Sequence, residues 1–170
     1  MSARITAMAN YGFVGGGKLL QKLEDTVKVT AGKPVLRVGF LEGKTEADGT
    51  PVPMVAAWNE FGDGSKRPPR PFFRNMIAAK GGKWPDEIAK ILPTTGFDAT
   101  KTLLLMGVRI SGQLRQSIVD LVSPPLAPST IARKSRGGVK KVAGAFGPEK
   151  PLVDTGTMLN SVDYEVDGHK

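Results

Sequence analysis

The stretch from Asp98 to Val122 constrains this chain more than any other. Leu103, Gly107, Ile110, Leu114, Ile118 and Leu121 recur at offsets of three and four, which sets them on one stripe of a helix. Arg109, Gln113, Gln116 and Asp120 take the opposite face. Ser123-Pro124-Pro125 ends the element, because proline lacks the N–H that would continue it. A helix this long must bury its stripe against a second layer, so the rest of the chain has to supply one.

The candidates for that layer are short. Leu19, Leu20, Leu23 and Val27 fall at helical spacing within residues 16–30, and Gly32 and Pro34 stop that helix. Val35 to Leu41 is rich in strand formers. A polar loop follows near 42–53, then Pro53 opens a short helix through Val55, Ala56, Ala57 and Trp58 that Gly62 can end. Residues 62–71 read as an exposed basic loop stiffened by prolines. Pro71-Phe72-Phe73 begins another helix, interrupted at Gly81-Gly82, and Trp84 to Leu92 gives a further turn or two. Ser129 to Lys134 fits one helical turn, and residues 132–150 read as a basic, glycine-rich arm. Asp154-Thr155 is placed to cap a short helix through Met158 and Leu159, and Ser161 to Val166 alternates as a final strand.

Two strands do not make a stable sheet alone. Either a third lies near 140–153, or a neighbouring subunit completes the sheet. The expected fold is α+β: a small antiparallel sheet packed against a long helix and shorter helices, with extended loops or arms. Residues 1–15 read as a flexible N-terminal segment and 16–170 as a single domain.

Most chemistry lacks its residues. With no cysteine there is no disulfide, thiolate metal site or thiol nucleophile. His169, the only histidine, stands one residue from the end, so a Ser-His-Asp mechanism has little to use. Gly15-Gly16-Gly17-Lys18 lacks the first glycine and the hydroxyl of a phosphate-binding loop, and reads better as a hinge. Leu152-Val153-Asp154-Thr155-Gly156 matches the loop of retroviral-type aspartic proteases, yet too little chain follows for a substrate cleft, and a helix cap explains it more simply. Asp163, Glu165 and Asp167 alternate on one strand face, where a solvated face outweighs a weak Ca²⁺ or Mg²⁺ site. The expectation is therefore no enzyme, no cofactor and no metal. No apolar run is long enough to span a membrane and the first residues lack a signal-peptide core, so a cytoplasmic protein is expected.

The formal net charge is +8, which favours an anionic partner. The basic side chains cluster as Lys66, Arg67 and Arg70, and as Arg133, Lys134, Arg136, Lys140 and Lys141. Aromatic residues are sparse beside them, which argues against a stacking platform for single strands. Phosphate contact and docking to an acidic protein both stay open.

Three patches in order carry a resemblance. They are Trp58-Asn59-Glu60-Phe61-Gly62 with Arg67-Pro68-Pro69-Arg70-Pro71-Phe72-Phe73-Arg74, then Pro124 to Lys134, then Lys150 to Val162. Together they resemble small morphogenesis proteins of tailed bacteriophages: tail components, neck proteins and tail-completion proteins. The resemblance covers about residues 55 to 165 and implies an α+β subunit of a virion ring, commonly of six copies, where head meets tail. It implies partners among neck, connector and tail-tube proteins, assembly in the host cytoplasm, and no membrane. Asn59, Glu60, Phe61, Arg70, Phe72, Phe73, Arg74, Asp154 and Thr155 are then expected at subunit or partner contacts, with one of the two phenylalanines buried and the other exposed to a neighbour. The basic residues would line a DNA channel or meet a partner, and six copies would carry roughly +48. A non-virion DNA-binding or packaging factor is the alternative.

Overall fold

Two strands far apart in sequence, β1 (Leu36–Phe40) and β2 (Val162–Val166), pair antiparallel with Leu36 opposite Val166 and Phe40 opposite Val162. Between them the chain forms α1 (Val52–Phe61), α2 (Phe72–Lys80), a 3₁₀ turn (Gly81–Lys83) and α3 (Trp84–Ile91). It continues through α4 (Ala99–Asp120), α5 (Pro128–Arg136) and α6 (Thr157–Asn160). This computed structural model describes residues 34–64, 67–136 and 146–167. The helix expected over 16–30, the segment 1–15, the Gly15–Lys18 hinge, Lys66, Lys140, Lys141 and His169 lie outside the described residues.

The fold is α+β, with the two-stranded sheet laid across α4. Leu36, Val38 and Phe40 share a core-facing side with Val162, Tyr164 and Val166, the cross-strand pairing that stabilises a sheet. The other face carries Arg37 opposite Glu165, an exposed pair at 3.4 Å worth little to stability. Asp167 lies just past β2, not on it, and accepts a hydrogen bond from the Val35 N–H; Asp163 accepts one from the Tyr164 N–H, so all three carboxylates have protein partners. The stretch 146–153 contains no strand, and the sheet has two strands among the described residues.

α4 carries the expected stripe, with one shift. Gly107, Ile110, Leu114 and Ile118 are buried, but Leu103 and Leu121 are only half-buried, while Thr102, Met106 and Ser111 join the core. Thr102 is buried because its hydroxyl is satisfied: it donates to the Asp98 carbonyl at 2.7 Å and meets Thr95 Oγ1 at 2.7 Å. Asp98 caps the helix by accepting from the Lys101 N–H, which holds its carboxyl below the usual carboxylate range. Val52, Phe72, Met76, Leu152, Val153 and Met158 complete a single hydrophobic cluster around this helix.

Other bounds differ locally. The first helix after the 42–53 loop begins at Val52, inside that loop: Pro51 is the N-cap with extended backbone, and Pro53 in the first turn has its φ preset for the helix. Gly62 ends it with φ of 76°, its N–H returning to the Trp58 carbonyl at 2.9 Å. The first residues of the arm expected over 132–150 are helical instead, since α5 continues through Arg136, and 137–145 lie outside the described residues. At α6 the cap is Gly156 in left-handed conformation, not Asp154; Thr155 contributes through its hydroxyl, which accepts from the Thr157 N–H at 3.2 Å.

Candidate functional site

The first wall of the site is the α1–α2 corner. Pro71 cannot cap α2 with a side chain, so the first N–H groups of that helix need an acceptor from elsewhere. Glu60, in the last turn of α1, reaches across and supplies it. Its Oε2 accepts from the Phe73 N–H at 2.9 Å, and its Oε1 accepts from the Arg74 N–H at 3.2 Å and Nε at 2.8 Å. The Arg74 guanidinium also donates to the Glu60 carbonyl at 3.1 Å and lies over the Phe61 ring at 5.0 Å. A carboxylate at a helix N-terminus gains from the helix dipole as well as from the bonds.

The basic loop between these helices is tied to the same corner. The Arg70 N–H donates to the Asn59 carbonyl at 2.7 Å, and the Asn59 amide turns inward to the Val55 carbonyl at 2.9 Å. Arg67 lies over the Trp58 ring at 5.1 Å, a cation–π contact on the surface. Arg70 runs inward, where its Nε donates to the Pro124 carbonyl at 3.3 Å. Burial lowers the pKa of its guanidinium.

The second wall is the Pro125–Lys134 segment and the third is the Pro151–Met158 segment; Lys134 joins them. Its Nζ donates to the carbonyls of Lys150 at 2.7 Å and Val153 at 2.6 Å, and the residue is only 7% exposed. Burial pulls the ammonium below the usual lysine range, Asp154 and Glu149 push it back up, and Arg133 opposes them. Lys134→Met keeps the length but strips both carbonyls of their donor. Chemical denaturation of this variant should show about 2 kcal/mol less stability than the parent, and an unchanged midpoint would refute the pinning role.

These walls enclose an open groove of about 1000 Å³. The α1–α2 corner lines it with Trp58, Asn59, Arg67, Pro68 and Arg70, the second wall with Pro125, Leu126, Ala127, Thr130 and Arg133, and the third with Leu152, Asp154, Thr155 and Met158. Glu46 and Asp48, from the loop before α1, complete an acidic edge; Thr155 Oγ1 donates to Glu46 at 3.4 Å. Asp48 accepts from the Thr50 N–H, which lowers its pKa and fixes that loop. The groove is therefore mixed in charge, with apolar side chains between basic and acidic edges.

Several residues expected at contacts are instead internal. Glu60 and Phe72 are 5% and 1% exposed, one spent on capping α2 and the other packed edge-on against Phe40 and Phe73. Lys134, expected to reach DNA or a partner, is a structural pin. Phe61, Arg74, Arg67, Arg133, Arg136, Asp154 and Thr155 are exposed, and Asn59 and Phe73 are half-buried. Trp58 and Leu126 line the groove as well; both fall within the patches that carry the resemblance, and neither is among the contacts expected from it. Among the described residues no cluster of three ligating side chains could hold a metal, and no helix is long and apolar enough to cross a membrane. No family model, curated protein or solved structure matches the chain.

Proposed function

We propose that the chain is a structural subunit of a tailed-bacteriophage virion, a ring-forming neck or tail-completion protein that acts by docking and not by chemistry. One observation carries this reading: the three patches that resemble phage morphogenesis proteins, widely separated in sequence, line the same groove. The groove's mixed lining suits a protein segment better than a small substrate. Leu105 and Val108, about half-exposed on the outer side of α4, and Phe61 at the α1 end offer apolar surface for neighbouring copies in a ring, of six by the resemblance.

In this reading the virion neck is the protein's station, and connector and tail-tube proteins are its partners, with exposed Arg67, Arg133 and Arg136 facing them or passing DNA. The test is the particle itself. Purified virions of the encoding phage should contain the chain in several copies at the head–tail junction, by quantitative mass spectrometry and electron cryomicroscopy. Its absence from particles would remove the proposal. The net charge of +8 favours one rival, a packaging factor that binds DNA outside the virion. That rival requires the free chain to bind duplex with an affinity that falls steeply as salt rises.

A further inference from the structure

Arg70 is held rigidly and left incomplete. It is 8% exposed, and its backbone is fixed on both sides, by the bond to Asn59 and by the Phe72 N–H donating to its carbonyl at 2.8 Å. Among the described residues its side chain makes one hydrogen bond, from Nε to Pro124, and takes part in no ion pair. The contrast with the other arginines decides its meaning. Arg37, Arg67, Arg74 and Arg109 each have an acidic partner, and their side chains are 52–56% exposed. Arg115, Arg133 and Arg136 have no ion pair either, but all three are exposed to water; among the described arginines Arg70 is the buried one, and it has no carboxylate. A buried guanidinium normally has a partner, because desolvating a lone charge is costly. Its Nη atoms are not among the fully enclosed unpaired atoms, and the residue lines the groove, so the free side of the fork has an outlet there.

We propose that Arg70 is the anchor for a single carboxylate on an extended, mostly apolar segment of a different polypeptide, which lies in the groove. The guanidinium fork accepts a carboxylate through two parallel bonds, and its fixed backbone spares the ordering cost. Two features favour a protein segment over nucleic acid. Glu46, Asp48 and Asp154 on the groove edge would repel a chain of regularly spaced phosphates, and Trp58 and Leu126 offer contacts for apolar side chains. The net charge of +8 favours an acidic partner over a second copy of this chain. The proposal rests on reading the groove as a docking site, but not on the ring or the virion.

The test selects a yeast-displayed library of random decapeptides on the full chain. Selected peptides should place Asp or Glu among apolar residues. A synthetic copy of the best one should lose affinity by roughly tenfold or more with Arg70→Gln, and Arg70→Lys should restore only part of it. Changing the peptide's acid to its amide should cost as much, and the two changes together little more than either. Because Arg70→Gln also loosens the Pro124 contact, Ala127→Glu serves as a second variant: Arg70 stays in place, and an added carboxylate at the exposed groove edge should weaken the same peptide. Winners without an acid, or a peptide indifferent to both variants, would overturn the proposal. So would an oligothymidine that displaces the peptide, or self-association that Arg70→Gln abolishes. A chain absent from virions that still binds through Arg70 keeps this proposal and loses the virion reading; the reverse result loses this one alone.

Discussion

Glu60→Ala should lower the unfolding free energy by about 3 kcal/mol, measured by urea or guanidinium denaturation. The variant removes the acceptor for two backbone N–H groups at the start of α2 and for the Arg74 side chain. Each half-buried donor left unpaired carries a desolvation cost, while Arg74 is exposed enough to regain water, so the backbone groups dominate. Glu60→Gln keeps a carbonyl acceptor and should lose about half as much. The damage extends beyond stability. The α1–α2 corner carries Arg67 and Arg70, so a frayed α2 start displaces the basic edge of the groove. Equal stability of Glu60→Ala and the parent would show that the cap is not needed.

Gly107→Ala should be destabilising by about 2 kcal/mol, although the same change in an open helix stabilises by about 1 kcal/mol. The reason is the sheet. A Cβ at this position would sit 2.7 Å from Tyr164 Cγ, so turning the ring about its Cβ–Cγ bond gives no relief, and Tyr164 has to leave its rotamer and its seat on α4 or β2 has to move. Gly107→Val should be worse. Tyr164→Ala opens the space, and the double variant Gly107→Ala with Tyr164→Ala should recover much of the glycine substitution's cost in a double-mutant cycle. Additive losses would mean that the close approach of α4 to β2 does not govern this position.

These two residues also show what could be read from the chain alone. Gly107 was visible as a member of the α4 stripe, because a 3.6-residue period maintained over several turns leaves few alternatives. Its role as the seat for Tyr164 was not, since that contact joins elements more than fifty residues apart. Glu60 was visible as a polar residue near a helix end, but its bonds go to the next helix, across a loop of glycine and proline with no period. In the sequence Lys134 reads as part of a basic arm, because Arg133 and Arg136 flank it. The run continues as helix, and the helical turn points one of its charges inward onto two carbonyls. The groove was legible only as three separate patches. Nothing local in any of them tells that they meet, because proximity there is set by the contact of α1 with α6 and by Arg70 and Lys134, which bond carbonyls of distant segments.

The pairing of β1 with β2 has a consequence for biosynthesis. Arg37 and Glu165 face each other across 128 residues of sequence, so the sheet closes only after nearly the whole described chain has left the ribosome. Helices can form as they emerge, but the floor under α4 arrives last. A nascent or truncated chain that lacks β2 leaves the apolar side of β1 and the Gly107 seat uncovered. Emergence of β2 thus decides when this apolar surface is covered.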